Sequence, residues 1–259
     1  MKNCSSNSVL NEKPSLSRIW VWIQICAHVF FGACTLLILF PSLDRRKKDK
    51  KIQEWSKRLL KIFNIQLLVQ GSELLGDAPY LLVSNHISWL DIHVINAFMP
   101  IRFVAKSEVA GWPIFGWMSK QLGTVFIKRD SARHARQVVG QLAQVLKTES
   151  ICIFPEGTST VGEHVLPFKP NLFESAIVAQ SPVFPLALQY LSGLTGMRSE
   201  SPSFVGDMSL LESMSNIINN HSLVAQITVL PEFPLSQYTQ RPDRKQLAGY
   251  CQEAIAKAL

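Results

Sequence analysis

Residues 19–40 contain no Asp, Glu, Lys or Arg, and their only strongly polar members are Gln24 and His28. A helix of this length, rising about 1.5 Å per residue, matches a hydrocarbon core of roughly 30 Å, so a membrane anchor is the first expectation. Pro41 ends the run, and Arg45-Arg46-Lys47-Lys48-Asp49-Lys50-Lys51 follows. Only Lys2, Lys13 and Arg18 precede it. The excess of cations after the run therefore places the rest of the chain on the cytoplasmic side of an inner (cytoplasmic) membrane. A cleaved secretory signal fits poorly, because the run is long and no small-x-small site follows it. Phe31-Gly32-Ala33-Cys34 faintly matches a lipoprotein cleavage site, but the apolar run continues past Cys34. A helix lying in the interface, or a re-entrant hairpin, is the stronger alternative. Gln24, His28 and Gly32 stand at i, i+4 and i+8 and form a slightly polar stripe.

The formal net charge of +7 asks for an anionic partner. Its placement chooses among partners: eight of the 26 Lys and Arg residues lie between Arg45 and Arg58, directly after the apolar run. Nucleic-acid binders interleave cations with stacking aromatics on a folded face, whereas a basic cluster beside an apolar segment suits anionic membrane lipids. No nucleic-acid partner is expected. The segment 52–63 places Ile52, Trp55, Leu59, Ile62 and Phe63 near helical spacing, with Lys57, Arg58 and Lys61 on the other faces. Cys4, Cys26, Cys34, Cys152 and Cys251 show no CxxC or paired spacing and read as reduced thiols.

From residue 66 onward, apolar strand-like runs alternate with helical patterns. Strand candidates are 80–83, 102–105, 124–127, 151–154, 183–188 and 225–230; helix candidates are 131–147, capped by Ser131, then 207–219 and 241–259. This alternation predicts an α/β fold, a mostly parallel central sheet flanked by helices, carrying an N-terminal transmembrane or membrane-embedded helical anchor. The expected organisation is a tail at 1–18, an anchor helix at 19–40, a basic amphipathic membrane-surface segment at 41–65 and an α/β domain at 66–259.

Polar residues gather just after the strand candidates, where open α/β sheets place their ligands. Ser84-Asn85-His86-Ile87-Ser88-Trp89-Leu90-Asp91 follows the first. An Asp that fixes the tautomer of a His turns it into a general base. Five residues along an unbroken helix rotate a side chain by about 140°, so the chain must turn after His86 before Asp91 can point back. Ser88-x-x-Asp91 is a helix-start signal, and Asp91 serving only as a cap is the plain alternative. His93 extends the pattern to HxxxxDxH, yet no further ligand cluster supports a metal, and none is expected. Phe126-Ile127-Lys128-Arg129 ends another strand candidate, where Arg129 offers a planar fork to phosphate. Phe154-Pro155-Glu156-Gly157-Thr158 ends a third; Gly157 permits a left-handed turn, and Glu156 and Thr158 can align a substrate or Arg129. Phe184-Pro185-Leu186 puts a proline in an apolar strand, which reads as an edge or a bulge.

HxxxxD, FIxR, FPEGT and FPL, in this order between residues 85 and 186, resemble the blocks of the glycerolipid acyltransferase family, typified by 1-acylglycerol-3-phosphate acyltransferases. The resemblance implies His86 as general base, Asp91 as its orienting partner and Arg129 on the acceptor phosphate, with Glu156, Gly157 and Thr158 shaping the acceptor site. It also implies an acyl-CoA or acyl carrier protein donor, a lysophospholipid acceptor and no cofactor or metal. The product from 1-acylglycerol-3-phosphate would be phosphatidic acid.

One position departs from the pattern: the family often has Arg after Gly157-Thr158, and this chain has Ser159. A missing cation weakens the phosphomonoester reading and admits another lysolipid acceptor, such as a lyso-ornithine lipid. Two rivals lie outside acyl transfer. A lipid hydrolase would use Ser84 or Ser88, but the chain has no G-x-S-x-G elbow; a membrane scaffold would keep the fold without the chemistry.

Overall fold

A computed structural model describes residues 15–127, 132–220, 222–233 and 242–259. Arg129 and the expected cap Ser131 lie outside the described residues. Among those described, seven strands form one sheet: β1 (Ile65–Gln70), β2 (Leu81–Ser84), β3 (Arg102–Lys106), β4 (Val125–Ile127), β5 (Ile151–Ile153), β6 (Val183–Ser192) and β7 (Leu223–Val229). Their order is β1-β7-β6-β2-β5-β3-β4, parallel throughout except where β6 meets β7. The helices are α1 (Ser15–Cys34), α2 (Arg45–Ile62), α3 (Asp91–Phe98), α4 (Phe115–Gln121), α5 (Ala132–Val145), α6 (Glu174–Ala179), α7 (Leu210–Asn219) and α8 (Arg244–Ala258). The expected α/β fold with a mostly parallel sheet is the one observed.

The central strands are buried on both faces, which is why they read as continuous apolar runs rather than alternating ones. Successive side chains nonetheless divide between two cores. Leu81 and Val83 of β2 meet Leu142 and Cys251 on one side, whereas Leu82 joins Leu60, Val94 and Ile95 on the other. Helix starts carry their own signals. Asp243 and Gln246 form a reciprocal capping box for α8, and the Ser209 side chain accepts from Glu212 N at the head of α7.

Two elements differ from expectation. β1 was absent from the strand candidates; it is an edge strand held only by β7, and its Gln66 and Gln70 dilute the apolar signal. Pro185 was expected at an edge or a bulge, but β6 is interior, paired with β2 and β7. The proline is tolerated because the β6–β7 ladder runs only from Leu186 onward, while the Pro185 carbonyl still accepts from Leu230 N at 2.9 Å.

The apolar run forms α1, continues through a wider π-helical turn at Thr35–Leu39 and ends in a 3-10 turn over Phe40–Ser42 that contains Pro41. Leu16–Ser42 is long and apolar enough to cross a membrane. One stripe of it, Ile25, His28, Gly32, Leu36 and Phe40, is buried, and Ile25 belongs to the core shared by α2 and α3. Nine large apolar residues, among them Ile19, Trp20, Phe30, Phe31 and Ile38, face outward. The stripe holding His28 and Gly32 thus packs against the domain. Gly32 makes this possible, since a Cβ there would stand 2.5 Å from Trp55 Nε1 on α2. At the other end, Arg18 donates to Asn219 Oδ1 of α7.

Candidate active site

β2 and β5 end side by side, and the residues just past them build the site. Beyond Ser84 the chain is held in line by Asn85, whose amide exchanges two 2.8 Å hydrogen bonds with the Leu188 backbone of β6. The backbone then turns at residues 87–90, and α3 begins at Asp91, so the carboxylate points back over the turn. Asp91 Oδ2 lies 2.8 Å from His86 Nδ1 and accepts from Ile87 N and Ser88 N at 2.7 and 2.9 Å. Oδ1 accepts from the Tyr190 hydroxyl at 2.8 Å. Asp91 is fully buried, and a buried charge is tolerated only when its lone pairs are taken, as these are by four donors. Capping and orienting, posed as alternatives for Asp91, are done by one carboxylate.

His86 is held from two further sides. Its ring stacks on Phe154 at a centroid distance of 4.2 Å, and its backbone N donates to Glu156 Oε1 at 2.7 Å. The other Glu156 oxygen accepts from Leu166 N at 2.9 Å. Glu156 is buried and spends both oxygens on backbone, so it braces the His86 loop rather than facing a substrate. Burial raises its carboxyl above the usual glutamate range, against the lowering pull of those two N–H groups. Gly157 turns the chain with φ near 71°, in the left-handed region, and its N donates to the Phe154 carbonyl at 3.0 Å. Thr158 is exposed at the mouth of the site. The Ser159 hydroxyl donates to the Phe204 carbonyl instead of pointing a polar group outward.

A cavity of about 790 Å³ opens at His86 and reaches the helices of the apolar run; Gly157, Thr158 and Ser159 line one part, and Leu36, Phe40 and Trp55 another. Lys106 and Lys169 also border it. His86, Gly157 and Thr158 therefore line one opening, with the buried Asp91 and Glu156 holding His86 from behind. No cluster of metal-ligating side chains occurs among the described residues. The sequence reading missed Tyr190, Asn85 and the stacking role of Phe154. Tyr190 lies beyond the expected end of its strand, and burial together with the Asp91 charge pushes its hydroxyl far above the usual phenol range.

Comparison with known proteins fits this geometry. The family described as Acyltransferase matches residues 66–189. The lyso-ornithine lipid O-acyltransferase of Pseudomonas aeruginosa is 34% identical over 206 residues, covering 79% of this chain and 76% of that protein. The 1-acyl-sn-glycerol-3-phosphate acyltransferase of Neisseria gonorrhoeae is 34% identical over 176 residues, covering 68% and 67%. The crystal structure of the 1-acyl-sn-glycerophosphate acyltransferase PlsC from Thermotoga maritima shares the fold, with a TM-score of 0.67 at 20% identity over 94% of this chain and 95% of that one. The His-Asp pair at a strand end, the FPEGT turn beside it and these likenesses converge, and the chain belongs to the acyltransferase family.

Proposed function

We propose that the enzyme moves a fatty acyl group from the thioester of acyl-CoA or acyl carrier protein to the free hydroxyl of a lysolipid at a membrane surface. The observation that carries this reading is the His86–Asp91 contact at the mouth of an apolar cavity walled by the anchor helix. With the proton on Nδ1, His86 donates to Asp91 Oδ2, which leaves Nε2 as the free base. Nε2 removes the acceptor hydroxyl proton as that oxygen attacks the thioester carbonyl. The tetrahedral intermediate then collapses, the C–S bond breaks, and the departing sulfur takes the proton back from His86. The ester and the free thiol are the products, and no covalent acyl-enzyme is required.

The exposed apolar face of α1 would enter one leaflet while its buried stripe stays on the domain. Of the four cations in the first turn of α2, Arg45 pairs with Asp49 and Lys47 with the N-cap Asp44, while all four stand at the positive end of the helix dipole; the cluster suits an anionic cytoplasmic leaflet. For the acceptor, the motif order and Arg129 favour 1-acylglycerol-3-phosphate. A second reading, a lyso-ornithine lipid, is favoured by Ser159, whose hydroxyl is spent on the Phe204 carbonyl where the family pattern often has a cation.

The test is an acceptor panel of lysophosphatidic acid, lyso-ornithine lipid and a zwitterionic lysolipid with radiolabelled acyl thioester. Product from one of the first two is expected, and product from none overturns the reading. His86→Ala is expected to lower turnover by about 10²- to 10⁴-fold with membrane association retained. Wild-type turnover in that variant would remove His86 from the role of base.

A further inference from the structure

Phe154 is the first residue beyond β5, and β5 lies between β2 and β3 in the sheet. Its ring accordingly stands between His86, just past the end of β2, and Phe103 of β3. The His86 and Phe154 rings stack at a centroid distance of 4.2 Å and an interplanar angle of 18°. The Phe103 ring is parallel to Phe154 within 12° at 6.0 Å, and Phe103 is only 4% exposed. Backbone contacts fix both partners of the stack. The Phe154 carbonyl accepts from Gly157 N at 3.0 Å, and the His86 carbonyl accepts from Thr160 N at 2.9 Å. One loop, 154–160, thus carries the phenyl ring and holds the backbone of the histidine it covers.

Acyl transfer gives this stack a task beyond packing. His86 is a neutral imidazole before it takes the acceptor hydroxyl proton, and an imidazolium until that proton passes to the departing sulfur. A phenyl face carries negative π density and attracts a cation that lies within about 6 Å of it. The contact therefore strengthens as the proton arrives, and an interaction that grows toward the transition state raises kcat rather than lowering KM. The ionisable neighbours of this ring do other work. Asp91 meets its edge at Nδ1 with Tyr190 behind the carboxylate, Glu156 takes the backbone N–H, and Lys106 and Lys169 stand on the cavity wall. Phe154 meets the face of the ring.

We infer that Phe154 is a positioning residue for the general base: its π face fixes the plane of the His86 imidazole and stabilises the imidazolium formed during transfer. A leucine would fill much of the same space and give nothing to the charge. This rests on the acyl-transfer reading above, because it takes His86 as the base.

The experiment uses the full chain in mixed micelles, with Phe154 replaced by phenylalanine carrying one, two or three ring fluorines. Fluorine draws π density out of the face and alters the shape of the ring little, so folding is preserved even if Phe154→Leu fails to fold. Steady-state kinetics give kcat and KM across the series. NMR on protein with isotope-labelled histidine gives the midpoint of His86 protonation, its signal assigned with His86→Gln. Turnover is expected to fall stepwise with each fluorine, by roughly three- to tenfold in total, with KM nearly unchanged. The midpoint is expected to move to lower pH in the same order. Phe154→Leu is expected to match the trifluorinated protein, and Phe154→Tyr, which keeps the face, to retain most of the turnover. A kcat or a midpoint that stays constant across the series overturns the inference and leaves Phe154 as packing alone. Absence of transfer by the wild type with every acceptor would instead sink the acyl-transfer reading, with the midpoint still deciding whether Phe154 supports the cation.

Discussion

At the scale of residues, the site is a set of buried polar groups that satisfy one another, and each one removed leaves another unpaired. Tyr190→Phe deletes one of four donors to Asp91 in a fully buried setting. The expected loss is about 1–3 kcal/mol of stability, read by thermal unfolding, with a fall in kcat/KM as the carboxylate loosens. Glu156 gives a pH signature. Its carboxyl is raised in the folded protein, so the unfolded chain releases that proton first as pH climbs above the usual 4.5. Stability from this group is complete below 4.5 and drains away as pH rises through the raised value. Glu156→Gln has no such dependence. The gap in Tm between wild type and this variant is therefore expected to be widest in acid and to narrow toward neutrality. A gap constant with pH would mean that burial does not hold the proton.

At the scale of elements, α1 is a candidate membrane anchor that is also packed into the domain. Gly32 sits where α1 crosses the edge of Trp55, and the indole there is stacked on His28 at 4.4 Å. Gly32→Ala is expected to cost about 1–3 kcal/mol by overpacking, measured as a lowered Tm, and to reduce turnover by shifting the cavity wall. Helix α2 joins the same unit through Leu59 and Leu60, which with Phe63 just past its end pack with Ile65 of β1 in one core. Its cations remain outside. The basic cluster and the apolar face of α1 are thus held in a set relation to the cavity mouth.

At the scale of the whole molecule, the apolar run completes the cavity, and a tether would not. Deleting residues 1–43 is expected to abolish transfer even in micelles, where attachment to a membrane is no longer needed. Retained activity in that truncation would reduce the run to a leash. Much of this was open to a reader of the sequence alone. The α/β alternation, the long apolar helix near the N-terminus and the four motif blocks follow from local chemistry, because spacing, propensity and turn signals act within a few residues of one another. His86 and Asp91 belong here too, since the turn that joins them is closed by their own neighbours, Ile87 and Ser88. Other features waited for the fold. Tyr190 reaches Asp91 from 99 positions away, Glu156 takes the His86 backbone from 70 positions away, and Pro185 sits in an interior strand because the ladder to β7 starts one residue later. Which side of α1 faces the domain was decided by Trp55. Contacts of that kind depend on which surfaces meet after the sheet is assembled, and no local pattern in the chain encodes the meeting.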